Sequence, residues 1–180
     1  MLTATQATQV VRTHRSRLGV MAILLASLAA GQSLAQSTDL PNRKDPVPGI
    51  TTAGQPSADQ LAAAAKSGIK TIIDLRGVNE DRGMDEKATV EKLGMSYVTI
   101  PVEGSPGVTY ANATALDKVL AGAQKPVLIH CATGNRAGAL LALRDKQSGA
   151  TNESALALGV ASGLTGLKPA VEQKLAQGHD

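Results

Sequence analysis

One stretch of the chain, Val127–Gly138, combines residue types that suit nucleophilic chemistry on an anion. A short apolar run, Val127–His130, leads to Cys131, and Arg136 follows with four residues between the two. A strand that ends in a tight loop before a helix directs loop N–H groups and the positive end of the helix dipole to one point. Such a point stabilises a thiolate or a bound oxyanion. The stretch therefore predicts an anion-binding site with a reactive cysteine.

The individual residues of this stretch support that prediction. Arg136 carries a planar guanidinium that suits bidentate contact with phosphate, and Gly134 lets the backbone come close to a bound group. Cys131 is the single cysteine of the chain, so it has no partner for an intramolecular disulfide. We interpret it as a thiol kept for its reactivity, with a buried inert thiol or an intermolecular link as the alternatives.

A metal site is not expected beside this cysteine. His130 is the one histidine within residues 50–177, and a single cysteine accompanies it, whereas zinc sites usually combine several such ligands. The sequence therefore predicts no metal and no cofactor.

The first 35 residues have the features of an export signal. Three arginines within residues 12–17 precede a largely apolar run, Leu18–Ala30, which is shorter than the roughly 20 residues that a spanning helix needs. Ser33 and Ala35 supply small residues at the positions that a signal peptidase reads. The sequence predicts a signal peptide over residues 1–35, cleavage after Ala35, and a periplasmic or secreted protein.

The basic charge of the chain resides in that segment. The chain has 18 Lys and Arg against 15 Asp and Glu, a net charge of +3. Residues 1–35 hold three of the basic residues and none of the acidic ones, which leaves 15 against 15 and no net charge in the remainder. Nucleic acid is therefore not expected as a partner, nor is a membrane after signal cleavage. The oligomeric state cannot be read from the sequence.

Beyond residue 35, the pattern predicts one α/β domain over residues 50–177, preceded by a flexible leader over residues 36–49. The predicted strands, separated by helical segments, are an edge strand at Ile50–Thr52, a central strand at Ile69–Leu75, and strands at Ser96–Val102 and Val127–His130. This alternation predicts a central, mostly parallel sheet flanked by helices. Because ligands of such sheets bind at the carboxyl ends of the strands, we expect Cys131, Arg76 and Glu103 to converge.

The motif His-Cys-x-x-Gly-x-Arg, from His130 to Arg136, resembles the signature loop of two enzyme groups, the cysteine-dependent phosphatases and the rhodanese-type sulfurtransferases. In both groups the cysteine is a thiolate nucleophile and the loop amides hold the transferred group. Phosphatases usually have one more residue between cysteine and arginine, whereas four is usual in rhodaneses and is the number here. A shorter loop offers one fewer amide and suits a persulfide sulfur, so the loop alone leaves both activities open.

A second resemblance rests on three segments outside the loop, namely Ala53–Ser57, Gly68–Arg76 and Tyr97–Val102. They resemble the bacterial dual-specificity-phosphatase-like family that is often labelled beta-lactamase-hydrolase-like phosphatase. The likeness extends from about Val47 to Leu175, and the Gly-His-Ile-x-Gly-Ala segment expected of a rhodanese is absent. It implies the fold of the protein tyrosine and dual-specificity phosphatases.

The family resemblance also implies roles for individual residues. Cys131 corresponds to the nucleophile that forms a thiophosphate intermediate, and Arg136 to the residue that holds the phosphoryl oxygens. Glu103 stands on the loop where these phosphatases have an Asp general acid. The substrate-binding residues implied are His130, Arg76 and the loop residues Ala132, Thr133, Gly134 and Asn135.

One further departure from the family pattern is the absence of a hydroxyl group after the arginine. Ala137 replaces the Ser or Thr that usually follows the arginine and eases release of the thiolate, and Thr133 is a possible substitute. Arg76 either lines the anion site or pairs with Asp74 or Asp81.

Three functions follow from these observations. The first is hydrolysis of a phosphomonoester, either a phosphorylated small molecule or a phosphoprotein. The second is a rhodanese-like sulfurtransferase or persulfide carrier, which the short loop favours. The third is a non-catalytic oxyanion-binding module. Ala137 and the lack of an Asp general acid are compatible with that function.

Overall fold

The computed structural model describes residues 39–178. The predicted signal peptide, residues 1–35, lies outside the described residues. Within residues 39–178, every helix is too short or too polar to cross a bilayer.

A five-stranded sheet forms the centre of the domain, with the strand order β1-β2-β5-β3-β4. The strands are β1 (Lys44–Val47), β2 (Ile50–Ala53), β3 (Thr71–Asp74), β4 (Ser96–Thr99) and β5 (Val127–His130). The β1 strand is antiparallel to β2, and all other neighbours are parallel. The predicted α/β class with a mostly parallel sheet is confirmed.

Six helices within residues 39–178 cover this sheet. They are α1 (Ala58–Lys66), α2 (Glu86–Lys92), α3 (Tyr110–Gly122), α4 (Asn135–Gln147), α5 (Asn152–Ala161) and α6 (Lys168–Gln177). The α1 helix begins with a capping box, in which Ser57 and Gln60 satisfy each other's backbone N–H groups. Gly134 precedes α4 with a φ of 90° and gives no side-chain cap, so the first N–H groups of α4 are left for other acceptors.

The parallel strands end in line with one another. Ala53 and Asp74 are both paired with His130, and Thr99 is paired with Asp74. The loops that follow β2, β3, β4 and β5 therefore leave the sheet at a common edge. All four residues of β5 are buried, and Val127–Ile129 are apolar. Such a strand suits the central position that β5 takes in the sheet.

The sequence predicts residues 36–49 to be a flexible leader, but the part of this segment before β2 that the structure describes contains a strand and a buried residue. Residues 44–47 form β1 and pair with β2, and Leu40 is buried against Ala53 and Leu61. The prolines of residues 39–49 suit this edge position, because an edge strand has backbone N–H groups that face away from the ladder. Ile50–Thr52 is consequently an inner strand and not the predicted edge.

The α4 helix is the most enclosed helix of the domain, and its residues 136–143 are all buried. It packs closely on α5, where a Cβ atom added to Gly138 would lie 2.6 Å from the carbonyl oxygen of Gly159. Such proximity requires a residue without a side chain at position 138. This packing fixes α4, and with it the Arg136 that α4 carries.

Candidate active site

Cys131 occupies the first position after β5, at the edge where the parallel strands end. Its side chain is 1% exposed, and its Sγ accepts a hydrogen bond from the N–H of Gly134 at 3.1 Å. The positive φ of Gly134 turns the loop back toward the sheet, where a Cβ atom would lie 3.3 Å from the carbonyl oxygen of Ala53. The loop thus presents a backbone N–H donor to the sulfur.

Arg136 lies in the first turn of α4 and its guanidinium is held by carbonyl and carboxylate groups. Nη1 donates to the carbonyl oxygen of Val102 at 2.9 Å and to Oε1 of Glu80, while Nη2 donates to Oε2 of Glu80 at 2.7 Å. The bonds to Glu80 raise the pKa of Arg136 above its usual range, against the effect of burial, and the charge of Cys131 raises it further. The guanidinium is therefore permanently charged and close to the sulfur.

Glu80 is a residue of this site that sequence reasoning missed. It lies in the loop between β3 and α2, and it also accepts the N–H of Gly77 at 2.7 Å. The hydrogen bond from Arg136 lowers the pKa of Glu80 below its usual value, so its carboxylate is ionised at neutral pH. In the sequence, Glu80 is one of several charged residues in a polar loop, and only the need of a buried arginine for an anionic partner could have singled it out.

Glu103 follows β4 on the loop that the sequence predicted for it. Its Oε1 accepts a hydrogen bond from the N–H of Val78 at 3.0 Å, and its carboxylate packs over Gly77. Glu103 is exposed. The structure thus joins the Glu103 loop to the loop that carries Glu80, and its role as an acid stays a prediction.

Arg76 belongs to a buried ion-pair network and not to an open anion site. Its side chain is 0% exposed; Nε and Nη2 donate to Asp74 at 2.8 and 2.9 Å, and Nη2 also donates to Glu86. Burial alone would raise the pKa of Asp74, but the bonds from Arg76, together with nearby His130 and a bond from Tyr97, lower that pKa to about 2. Of the two alternatives that the sequence leaves for Arg76, the structure shows the pair with Asp74. Nη1 of Arg76 is buried without a hydrogen-bond partner among the described residues, and a contact with substrate stays a prediction.

His130 is also fully buried beneath the loop. Its Nε2 lies 2.8 Å from Oε1 of Glu86, although neither atom has a hydrogen-bond partner of good geometry among the described residues. His130 therefore contacts the buried network and supports the loop from within the sheet. Its predicted contact with substrate stays a prediction.

Asp74, Glu86 and His130 offer ligand atoms that all lie within 4.8 Å of one another. Such a group can hold a metal ion in principle. Arg76, however, bonds to both of these carboxylates. Its guanidinium already supplies the positive charge that the two anions require, so the group fits a metal ion poorly.

The loop residues between Cys131 and Arg136 differ in what their side chains do. Asn135 uses its Oδ1 to accept the N–H groups of Thr165 at 2.8 Å and Leu167 at 3.3 Å. The oxygen of its side chain therefore anchors the loop before α6. Ala132 and Thr133 are exposed at the rim, and Ala137 is fully buried.

The comparisons with known proteins agree with this geometry. A family model described as beta-lactamase hydrolase-like protein, phosphatase-like domain, matches residues 46–150, more than half of the chain. The chain belongs to this family. The resemblance predicted from the sequence is thereby confirmed. A beta-lactamase hydrolase-like protein from Agrobacterium fabrum is 35% identical over 109 residues, which cover 58% of this chain and 25% of that relative.

The present chain thus spans about a quarter of the length of the curated relatives that it matches. Solved structures of lower identity share the fold. A candidate phosphatase from Neisseria meningitidis has a TM-score of 0.62 and 21% identity, and covers 72% of this chain and 96% of its own. TpbA of P. aeruginosa in complex with pTyr has a TM-score of 0.60 and 19% identity, and covers 76% and 84%. The phosphatase-like fold is therefore established.

Proposed function

We propose that this protein hydrolyses a phosphomonoester through a thiophosphate intermediate on Cys131. The observation that carries the proposal is the placement of Cys131 Sγ at a backbone N–H of the signature loop, beside an Arg136 guanidinium that Glu80 holds in position. A phosphoryl group develops charge on its equatorial oxygens during transfer, and preorganised donors stabilise that charge.

In the first step, the Cys131 thiolate attacks phosphorus and forms the S–P bond. The bond between phosphorus and the ester oxygen breaks, and that oxygen leaves with its electron pair. A protonated Glu103 donates a proton to the leaving oxygen, which departs as an alcohol or phenol. Glu80 is unsuited to this task because its ion pair with Arg136 keeps it ionised.

In the second step, water attacks the thiophosphate. The Glu103 carboxylate accepts a proton from the water, the S–P bond breaks, and the thiolate and inorganic phosphate are regenerated. Ala137 provides no hydroxyl to stabilise the leaving thiolate. We therefore expect this step to limit turnover, which would appear as a burst of alcohol release before the steady state.

The substrate class is a phosphorylated small molecule or a phosphoprotein. The complex of the structural neighbour TpbA with pTyr supports a phosphorylated substrate for this chain as well. Aryl phosphates are therefore the first substrates to test.

A second candidate function is sulfur transfer, which the four-residue spacing between Cys131 and Arg136 favours. Here the thiolate attacks the sulfane sulfur of thiosulfate, the S–S bond breaks, and sulfite leaves with the electron pair. Cyanide then takes that sulfur from the Cys131 persulfide as thiocyanate. A third candidate, binding of an oxyanion without turnover, needs only the Arg136 cradle.

One set of assays distinguishes these three functions. Wild-type protein and the Cys131→Ser and Arg136→Lys variants are compared under reducing conditions for phosphate release from p-nitrophenyl phosphate and thiocyanate formation from thiosulfate. Phosphate release that Cys131→Ser abolishes and Arg136→Lys strongly reduces supports the phosphatase. The phosphatase is refuted if wild-type protein releases no more phosphate than Cys131→Ser. Thiocyanate formation alone would indicate the sulfurtransferase, and phosphate binding without any turnover would indicate the binding module.

We further propose that the protein is exported and cleaved after Ala35. Three arginines within residues 12–17 precede the largely apolar run Leu18–Ala30, an order typical of signal peptides, and this order supports the proposal. Mass spectrometry of protein from a periplasmic or secreted fraction should show a chain that begins at Gln36. Recovery of the intact N-terminus from the cytoplasm alone would contradict it.

A further inference from the structure

The peptide group between Thr133 and Gly134 is bonded at both of its ends. Its N–H, on Gly134, donates to Sγ of Cys131 at 3.1 Å. Its carbonyl oxygen, on Thr133, accepts a hydrogen bond from Nδ2 of Asn42 at 3.2 Å. A chain of two hydrogen bonds therefore runs from the Asn42 amide through one peptide group to the sulfur.

The geometry of a peptide group couples these two bonds. A peptide is planar and almost always trans, so its C=O and N–H point in opposite directions in one plane. A donor that fixes the direction of the carbonyl consequently fixes the direction of the N–H. A hydrogen bond to the carbonyl also polarises the peptide and strengthens the N–H as a donor.

Asn42 is itself held in place by its neighbours. The carbonyl oxygen of Pro41 accepts the N–H of Gly54 at 2.7 Å, and Leu40 is buried in the core. Asn42 has a φ of 52°, a left-handed conformation that asparagine adopts more readily than most residues other than glycine. The segment before β1 thus delivers an amide donor to the outer side of the signature loop.

We propose that Asn42 is a positioning residue that orients the Thr133–Gly134 peptide and thereby increases the thiolate population of Cys131. The inference rests on the proposed function only in treating the thiolate as the reactive form. Asn42 lies in the part of the chain that sequence patterns assign to a flexible leader, and this contact gives that segment a role at the site.

Two substitutions separate the amide from the backbone that carries it. Asn42→Gly retains access to the left-handed conformation and removes the donor. Asn42→Asp retains the shape of the side chain and turns an acceptor toward the Thr133 carbonyl. Asn152→Gly is the matched control, because Nδ2 of Asn152 donates to the carbonyl oxygen of Leu175 at 2.9 Å, between α5 and α6.

The readout is the thiolate absorbance at 240 nm as a function of pH, with the iodoacetamide alkylation rate as a second measure. Cys131 is the only cysteine of the chain, so the alkylation rate reports on it, and so does the absorbance below the pH at which the two tyrosines ionise. We expect the pH midpoint of the absorbance to rise by about 0.5 pH unit in Asn42→Gly, the size of effect that losing part of one hydrogen bond produces. Asn42→Asp should shift it at least as far, because its charge also opposes the thiolate, and Asn152→Gly should leave it unchanged.

The proposal is overturned if Asn42→Gly and Asn42→Asp titrate like the wild-type protein, or if Asn152→Gly shifts the midpoint equally. A merely structural role would lower the thermal midpoint without moving the titration. Should one variant fail to fold, the other decides the question. The titration needs no turnover, so a wild-type protein that releases no phosphate would refute the proposed function while leaving this test valid.

Discussion

The carboxylate of Glu80 and the guanidinium of Arg136 meet edge to edge, with both terminal nitrogens of the arginine bonded to the two carboxylate oxygens. A further bond from Nη1 to the carbonyl of Val102 restricts rotation of the plane. The guanidinium is consequently fixed before any anion binds, which lowers the entropic cost of binding.

Replacing Glu80 with Gln should weaken catalysis by loosening this arrangement. We expect kcat/KM for p-nitrophenyl phosphate to fall about 10-fold, which corresponds to the loss of one charge-assisted hydrogen bond. The inhibition constant of inorganic phosphate measures anion binding in the same samples. Glu91→Gln is the control, since Glu91 pairs with Lys87 on the exposed face of α2. Tighter phosphate binding in Glu80→Gln would instead show that Glu80 competes with the anion.

The buried network around Asp74 should make the folded state sensitive to acid. Its pKa is lowered from 3.8 to about 2 in the folded protein, so the stabilisation is present above pH 4 and is lost as the pH falls through 2. The difference corresponds to about 2 kcal/mol of unfolding free energy. Urea denaturation at pH 5, 4, 3 and 2.5 measures that loss.

Tyr97→Phe provides the test of this assignment. The Tyr97 hydroxyl donates to Asp74 at 2.8 Å, and its removal should bring the folded-state pKa of Asp74 closer to the ordinary value. The variant should therefore lose less stability than the wild-type protein between pH 5 and pH 2.5. Tyr110→Phe, whose hydroxyl contacts a carbonyl of α6, should retain the wild-type dependence. Equal pH dependence in Tyr97→Phe and the wild-type protein would argue against Asp74 as its source.

The sequence predicted the sheet class, the helices and the signature loop because each depends on local patterns. The strand Val127–His130 and the helix that begins near Arg136 are consecutive in the chain, so the loop between them can be recognised from the sequence. Glu80, Glu86 and Asn42 could not be assigned in the same way. Each is brought to the site by the tertiary fold. Asn42, for example, donates a hydrogen bond to Thr133, which is 91 positions away in the chain.

Two features show what local composition cannot disclose. The sequence leaves Arg76 either at the anion site or paired with Asp74 or Asp81, and it predicts residues 36–49 to be flexible. In both cases local composition did not disclose a tertiary partner, since Arg76 pairs with Glu86 of α2 and β1 pairs with β2. Charged and proline-containing segments are often solvated, but burial in a network or at a sheet edge overrides that tendency.

The contact between α4 and α5 predicts a severe effect of one added methyl group. Gly138→Ala would place Cβ 2.6 Å from the carbonyl oxygen of Gly159, and backbone must move to relieve the contact. We expect a loss of about 1–3 kcal/mol in unfolding free energy, measured by urea denaturation. Gly122→Ala in α3 is the control, because its added Cβ would have no neighbour within 4 Å. It should leave stability unchanged or raise it, and equal losses in both variants would contradict a steric cause.

The role of Glu103 as general acid predicts a dependence on the leaving group. Glu103→Gln keeps the side-chain shape but cannot donate a proton, so departure of the more basic leaving oxygen should suffer most. We expect kcat/KM to fall about 100-fold for phenyl phosphate, within the usual range for general acid catalysis, and much less for p-nitrophenyl phosphate, whose leaving group needs little protonation.

A burst of phenol release in rapid-mixing experiments would show that the first step is being measured. Glu172→Gln serves as the control, because Glu172 pairs with Lys168 on the exposed face of α6. If Glu103→Gln slows both substrates equally, its bond to Val78 matters for loop structure and not for proton transfer. A variant that hydrolyses both substrates at the wild-type rate would remove Glu103 from the mechanism and require that water protonate the leaving group.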